Sequence, residues 1–186
     1  MVQEKTLNGV NVGQLLDTIE QVKENPEIGQ FQFRAMNTWI DGTHHRATVK
    51  DFYVALKEDN SGEQWKFEID EPRVLLGQNL GASPTEYLLV ALSGCLTTTL
   101  VAHAAAQGIK VNKVESRYEG DWDLQGFLGK SEEVPVGYKN IGVYFKIDAD
   151  VSEDQKKKLV MMAQKYSPVF NSIAKPVSVV VQLDKN

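Results

Sequence analysis

A chain of 186 residues is long enough for one domain with a sizeable core or for two small ones. Its 42% hydrophobic and 24% charged residues are the proportions of a folded soluble protein, and a net charge of -5 leaves no basic field to draw nucleic acid or anionic lipid. A single cysteine excludes an intrachain disulfide, and a lone thiol fits a reducing, cytoplasmic setting.

The first ten residues, MVQEKTLNGV, have acid and amide side chains and no apolar core, so no leader peptide is expected. From Asn11 to Glu24, Val12, Leu15, Leu16, Ile19 and Val22 recur at three- and four-residue steps, which predicts an amphipathic helix closed by Asn25-Pro26. Phe31 to Ile40 alternates as a strand does, with Phe31, Phe33, Ala35, Asn37 and Trp39 on one face. Asp41-Gly42 signals a turn. Arg46 to Val54 and Gln64 to Ile69 then complete a strand meander.

Ser83-Pro84-Thr85-Glu86 opens a long helix. Ser83 suits the N-cap, Pro84 the first helical position, and Glu86 the reciprocal acid of a capping box. Gly94 is the only helix breaker before Gly108, a natural stop, so the helix is expected to run about 36 Å. It is apolar or small nearly all round (Leu88, Leu89, Val90, Leu92, Leu96, Leu100, Val101, Ala104, Ala105), so it must be buried on every side or cross a membrane. Ser93, the threonines Thr97 to Thr99 and His103 inside it, with strands on both sides, favour a central core helix and no membrane.

Beyond it, Val111 to Asp121 and Gly137 to Ala149 read as strands. Ser152 caps a helix with Glu153 and Asp154 in its first turn, running to about Tyr166. Ser167-Pro168 starts a short helical turn, and Val177 to Leu183 is expected to form a last strand. Strand meander, long helix, two strands, helix and strand make an α+β order. No zinc spacing, phosphate loop or Ser-His-Asp pattern appears, so neither a cofactor nor a metal is expected.

The segment Gly81-Ala82-Ser83-Pro84-Thr85-Glu86 through Ser93-Gly94-Cys95 resembles the OsmC/Ohr-like family of hydroperoxide-detoxifying proteins, whose peroxidatic cysteine follows the helix-opening proline by the spacing from Pro84 to Cys95. Ser167-Pro168-Val169 and Lys175-Pro176-Val177-Ser178-Val179 resemble the family's second motif, a Cys-Pro-Val turn followed by Pro-Val in the last strand. The resemblance runs from about Phe31 to Asp184 and divides the chain into an N-terminal helical extension (1-30) and an OsmC-like α+β domain (31-186). It implies a strand meander and a second small sheet around a long central buried helix, in an interleaved homodimer. It also implies that Cys95 attacks a peroxide oxygen as thiolate. Three departures stand out. The family's second cysteine falls on Ser167, the acid that usually follows the proline falls on Thr85 with the acid one residue later at Glu86, and Arg46 is the only arginine in the turn that supplies the family's active-site arginine.

Each candidate also has a bland reading. Free cysteine is among the most buried residue types, and an apolar helix disfavours the thiolate, so Cys95 as nucleophile needs a cation. Arg46 is the candidate cation, or else a solvated arginine at a strand end. Glu86 holds that arginine or simply closes the capping box, and at 100° per residue it lies half a turn from Cys95. Ser167 is a helix cap. His44 and His45 point to opposite strand faces, and His103, two turns along the helix from Cys95, reads as a satisfied core histidine. Three readings follow. One is reduction of small apolar hydroperoxides through one cysteine, with an external thiol reductant as resolving partner. Another is a non-catalytic dimer binding a small apolar or thiol-bearing ligand. The third is a structural or interaction role for the dimer with an inert Cys95.

Overall fold

The computed structural model describes residues 6-175 and 177-184, so the expected absence of a leader and the place of Pro176 fall at least partly outside it. The chain forms two compact units, one ending at Val90 and the other beginning at Ala91.

In the first unit, a two-stranded hairpin of β1 (Thr6-Leu7) and β2 (Val10-Asn11) leads into α1 (Val12-Glu24). Asn11 caps the helix by accepting from the Gln14 N-H at 3.0 Å. A 3-10 turn at Pro26-Gly29 precedes the meander. β3 (Phe31-Asp41) pairs antiparallel with β4 (His44-Val54) across a tight turn that places Gly42 at a φ of +54°. β4 is the hub. It pairs with β5 (Lys57-Asp59) at one end and with β6 (Trp65-Ile69) at the other. β3 is exposed along its whole length and carries Phe33, Met36 and Trp39 at 72%, 76% and 68% exposure.

A 3-10 turn at Arg73-Leu75 then brings the chain to α2 (Pro84-Ala106). This junction is tied back to β6: Ile69 bridges Ala82, and the Tyr87 hydroxyl donates to the Glu68 carbonyl at 2.9 Å. A side chain at Gly81 would run into the Glu68 carbonyl, so only glycine fits there.

The second unit contains the rest of α2, the antiparallel pair β7 (Val111-Asp121) and β8 (Asn140-Ala149), and three more helices, α3 (Leu124-Phe127), α4 (Glu153-Tyr166) and α5 (Pro168-Ala174). α2 ends in a Schellman turn, with Gly108 at a φ of +71° and the Ile109 N-H donating to the Ala104 carbonyl. Leu92, Leu96, Leu100 and Ala104 form its buried stripe at a spacing of four. They pack with Leu159 and Ala163 of α4 against Val111, Val114, Ile141, Val143, Phe145 and Ile147 of the sheet, with Val169 and Phe170 of α5 alongside. Fully burying one such leucine contributes about 1.5-3 kcal/mol.

The α+β order expected from the sequence is the order observed up to its last strand. Within this one chain α2 buries a single stripe, and Leu88 and Val90 are 37% and 59% exposed on faces where the expected cover is a partner subunit. One expectation is corrected. Val177 to Leu183 forms no strand. A strand exists only against a neighbouring edge, and Val179, Val181 and Leu183 are 76%, 91% and 89% exposed. By length and composition α2 is apolar enough to cross a membrane, but its leucine stripe is the core of a folded unit.

Candidate functional site

The second unit holds the chain's one thiol. Cys95 lies on α2 three residues after Leu92 and just before Leu96, beside the buried stripe, and is half-buried. Its carbonyl accepts from the Thr99 hydroxyl at 2.8 Å in addition to its place in the helix. Facing the sulfur is Ser167, whose hydroxyl donates to Cys95 Sγ at 3.1 Å and which is 0% exposed.

Ser167 is where α4 ends and α5 begins. Its N-H donates to the Ala163 carbonyl at 2.9 Å, and its hydroxyl oxygen accepts from the Phe170 N-H at 3.2 Å as the α5 N-cap. The cap expected from the sequence is present. No local spacing rule could foretell the contact with Cys95, because 72 positions separate the two; the one signal for it was that Ser167 occupies the family's second cysteine position.

Leu92, one turn before Cys95, and Phe170, three residues after Ser167, share the wall of a cavity of about 340 Å³ with Ile141, Val143, Ile173 and Ala174. Tyr138, Lys139 and Asn140 close one side of it. Asn140 opens β8, and Tyr138 and Lys139 lie just before it, inside the Gly137 to Ala149 segment whose pattern predicts a strand and no cavity. Lys139 is held by Asp123 at 2.8 Å, and this ammonium group, with the Gln125 N-H, keeps the Asp123 carboxyl below the usual range.

The other sequence-derived candidates, His103 apart, lie in the first unit. Arg46, on β4, donates from Nε to Glu68 Oε1 at 2.6 Å, and His44 Nε2 contacts Glu68 Oε2 at 2.8 Å. Hydrogen bonds from Arg46 first, and from His44 second, hold the Glu68 carboxyl below its ordinary pKa. His45 turns to Asn37 at 2.8 Å, so the adjacent histidines have different partners. Glu86 accepts from the Ser83 N-H at 2.7 Å and the Ser83 hydroxyl at 2.9 Å, while the Ser83 oxygen accepts from the Glu86 N-H at 3.3 Å. This is the reciprocal geometry of a capping box. His103 stacks on Tyr166 with ring centroids 4.9 Å apart. Among the described residues no group of histidine, cysteine and carboxylate side chains has metal-binding geometry.

One residue of consequence escaped the sequence. Asp70, 1% exposed, accepts from the Thr43 hydroxyl at 2.6 Å and from the N-H groups of Glu71, Gln78 and Leu80 at 2.9, 2.9 and 3.1 Å. It thereby fixes the β3-β4 turn and the loop that leads to α2. The Thr43 hydroxyl, followed by these backbone donors, outweighs burial and holds its carboxyl well below the usual range. Beside it Glu71 is shifted the other way, first by burial and then by the charges of Asp70 and Glu86.

Fold and site together define an α+β protein in which a single half-buried thiol on a long helix faces a buried serine hydroxyl. Residues 77-182 match the family model described as OsmC-like protein, so the chain belongs to the OsmC-like protein family. Its fold is similar to that of an OsmC like protein from Mycoplasma pneumoniae, with a TM-score of 0.61 and 18% identity over 78% of this chain and 89% of that one. It is similar too to an organic hydroperoxide resistance protein OsmC from Legionella pneumophila, with a TM-score of 0.53 and 18% identity over 76% and 88% of the two chains. An uncharacterized protein of Methanocaldococcus jannaschii is 31% identical over 93 residues. That match covers 50% of this chain and 44% of the relative, so the chain matches less than half the relative's length.

Proposed function

We propose that this OsmC-like protein reduces organic hydroperoxides through Cys95 alone, as a homodimer in a reducing compartment, with an external thiol completing the cycle. The observation that carries the reading is the Ser167 hydroxyl 3.1 Å from Cys95 Sγ. The position of the family's second cysteine still faces the first, in a family whose Legionella pneumophila relative is described as an organic hydroperoxide resistance protein.

The chemistry needs one sulfur. The Cys95 thiolate attacks the terminal peroxide oxygen, the O-O bond breaks, and the alkoxide leaves and takes a proton to become the alcohol. Cys95 is oxidised to the sulfenic acid and the hydroperoxide is reduced. Ser167 has no sulfur, so no internal disulfide forms. A first external thiol condenses with the sulfenic acid, releasing water and leaving a mixed disulfide. A second thiol releases Cys95. The apolar cavity walled by Leu92, Phe170 and Ile173, which Cys95 itself does not line, is the place this reading gives the alkyl group of the substrate.

The uncovered faces of α2 and the exposed Phe33, Met36 and Trp39 of β3 support the homodimer, since a second copy removes this apolar surface from water. The same apolar cavity supports a second reading, a dimer that binds a small apolar ligand without turnover. Hydroperoxide consumption with a panel of thiol donors separates the two. The first reading predicts turnover by the wild type that Cys95→Ser abolishes. Cumene hydroperoxide left unconsumed with every mono- and dithiol donor refutes it.

A further inference from the structure

Ser167 does more than a helix cap requires. A cap uses only a lone pair of the side-chain oxygen, so threonine, asparagine or aspartate would serve as well. Here the Phe170 N-H takes a lone pair at 3.2 Å, which leaves the single hydroxyl proton free to point elsewhere, and it points at Cys95 Sγ. The donor is also rigid. The Ser167 N-H is bound to the Ala163 carbonyl, its own carbonyl accepts from the Asn171 N-H at 3.1 Å and from Asn171 Nδ2 at 2.9 Å, and Pro168 follows it directly. The residue is 0% exposed, so water does not compete for that proton.

We propose that Ser167 is a positioning residue for the thiol, whose preset hydroxyl donates to the Cys95 thiolate before the reaction and to the sulfenate after it. The proposal rests on Cys95 being the reacting group. A neutral thiol is a weak acceptor and a thiolate a strong one, so a fixed O-H donor stabilises the ionised form selectively. The donor is already in place, so no reorganisation is needed when charge gathers on sulfur. After oxygen transfer the same proton holds the sulfenate and withholds its electron pairs from a second hydroperoxide. The step it slows is the oxidation of sulfenate to sulfinate, in which a second hydroperoxide is reduced to alcohol. In a chain without a second thiol, this hydrogen bond stands where a disulfide would otherwise protect the oxidised sulfur.

The test compares wild type with Ser167→Ala, Ser167→Thr and Ser167→Cys as the full-length chain. Iodoacetamide alkylation of Cys95 is followed against pH, and dimedone trapping and mass spectrometry follow cumene hydroperoxide treatment. Ser167→Ala should move the midpoint of the alkylation profile upward by about one pH unit, the scale of one hydrogen bond to a charged group. It should also raise the ratio of sulfinic acid to trapped sulfenic acid. Ser167→Thr, which keeps the hydroxyl, should restore both. A merely structural cap would lower the melting temperature and leave the profile where it was; that result in folded Ser167→Ala overturns the proposal. If Ser167→Ala does not fold, Ser167→Cys decides by geometry. One equivalent of hydroperoxide should then join Cys95 to the introduced thiol in a disulfide and leave no trappable sulfenic acid. An introduced thiol that stays free while Cys95 is oxidised overturns the contact. The alkylation profile needs no peroxide. A shifted profile with no hydroperoxide consumed therefore rejects the peroxidase reading and keeps the hydrogen bond, whereas turnover with an unshifted profile does the reverse.

Discussion

Asp70 is a carboxylate with 1% exposure, held by four donors that favour its ionised form. Its folded pKa lies below the ordinary 3.8, chiefly because of the Thr43 hydroxyl. Stability from this group is therefore fully present above about pH 4 and is lost as the pH falls through the lowered folded value. Asp70→Asn keeps the shape and removes the charge. It should unfold at lower urea than wild type at pH 7, and the two midpoints should converge as the pH is brought below 4. Parallel curves down to pH 2 would show that the carboxylate does not carry this effect. At this scale the sequence was legible where partners are close in the chain. Ser83 and Glu86 sit at capping-box spacing and make the box. Asp70 was not legible, because Thr43, Gln78 and Leu80 reach it from a turn and an aperiodic loop. Nor did spacing alone bring Cys95 to Ser167, since their contact depends on how α4 and α5 pack beside α2.

The elements were read from periodicity, and they hold where the period is clear. β7 spans Val111-Asp121 as expected, and α4 begins behind its Ser152 cap. α2 shows where periodicity runs out. Apolar residues cover nearly all of its surface, so the pattern marks a helix and does not say which stripe this chain buries. The structure selects Leu92, Leu96, Leu100 and Ala104. Leu100→Ala should cost about 2-5 kcal/mol of unfolding free energy, the range for a large-to-small change in a close-packed core. Chemical denaturation gives the value, and a loss under about 1 kcal/mol would mean that the stripe is misassigned. The segment from Val177 to Leu183 has the alternation of a strand and is not one, because alternation reports which residues suit a sheet and says nothing of whether an edge is available.

For the whole molecule, the exposed aromatic side chains of β3, the uncovered side of α2 and the unpaired Val177 to Leu183 are features of one chain considered alone. A second copy that covers them is expected, so sedimentation at micromolar concentration should give about twice 20.8 kDa. A stable folded monomer at that concentration would contradict the proposed dimer.

One sulfur carries the proposed chemistry, and intact-mass spectrometry after one equivalent of cumene hydroperoxide reads it out. The expected result is a gain of about 16 Da located at Cys95, dimedone-reactive, reversed by added thiol and absent in Cys95→Ser. An unmodified Cys95 after that treatment, in folded protein, would contradict it.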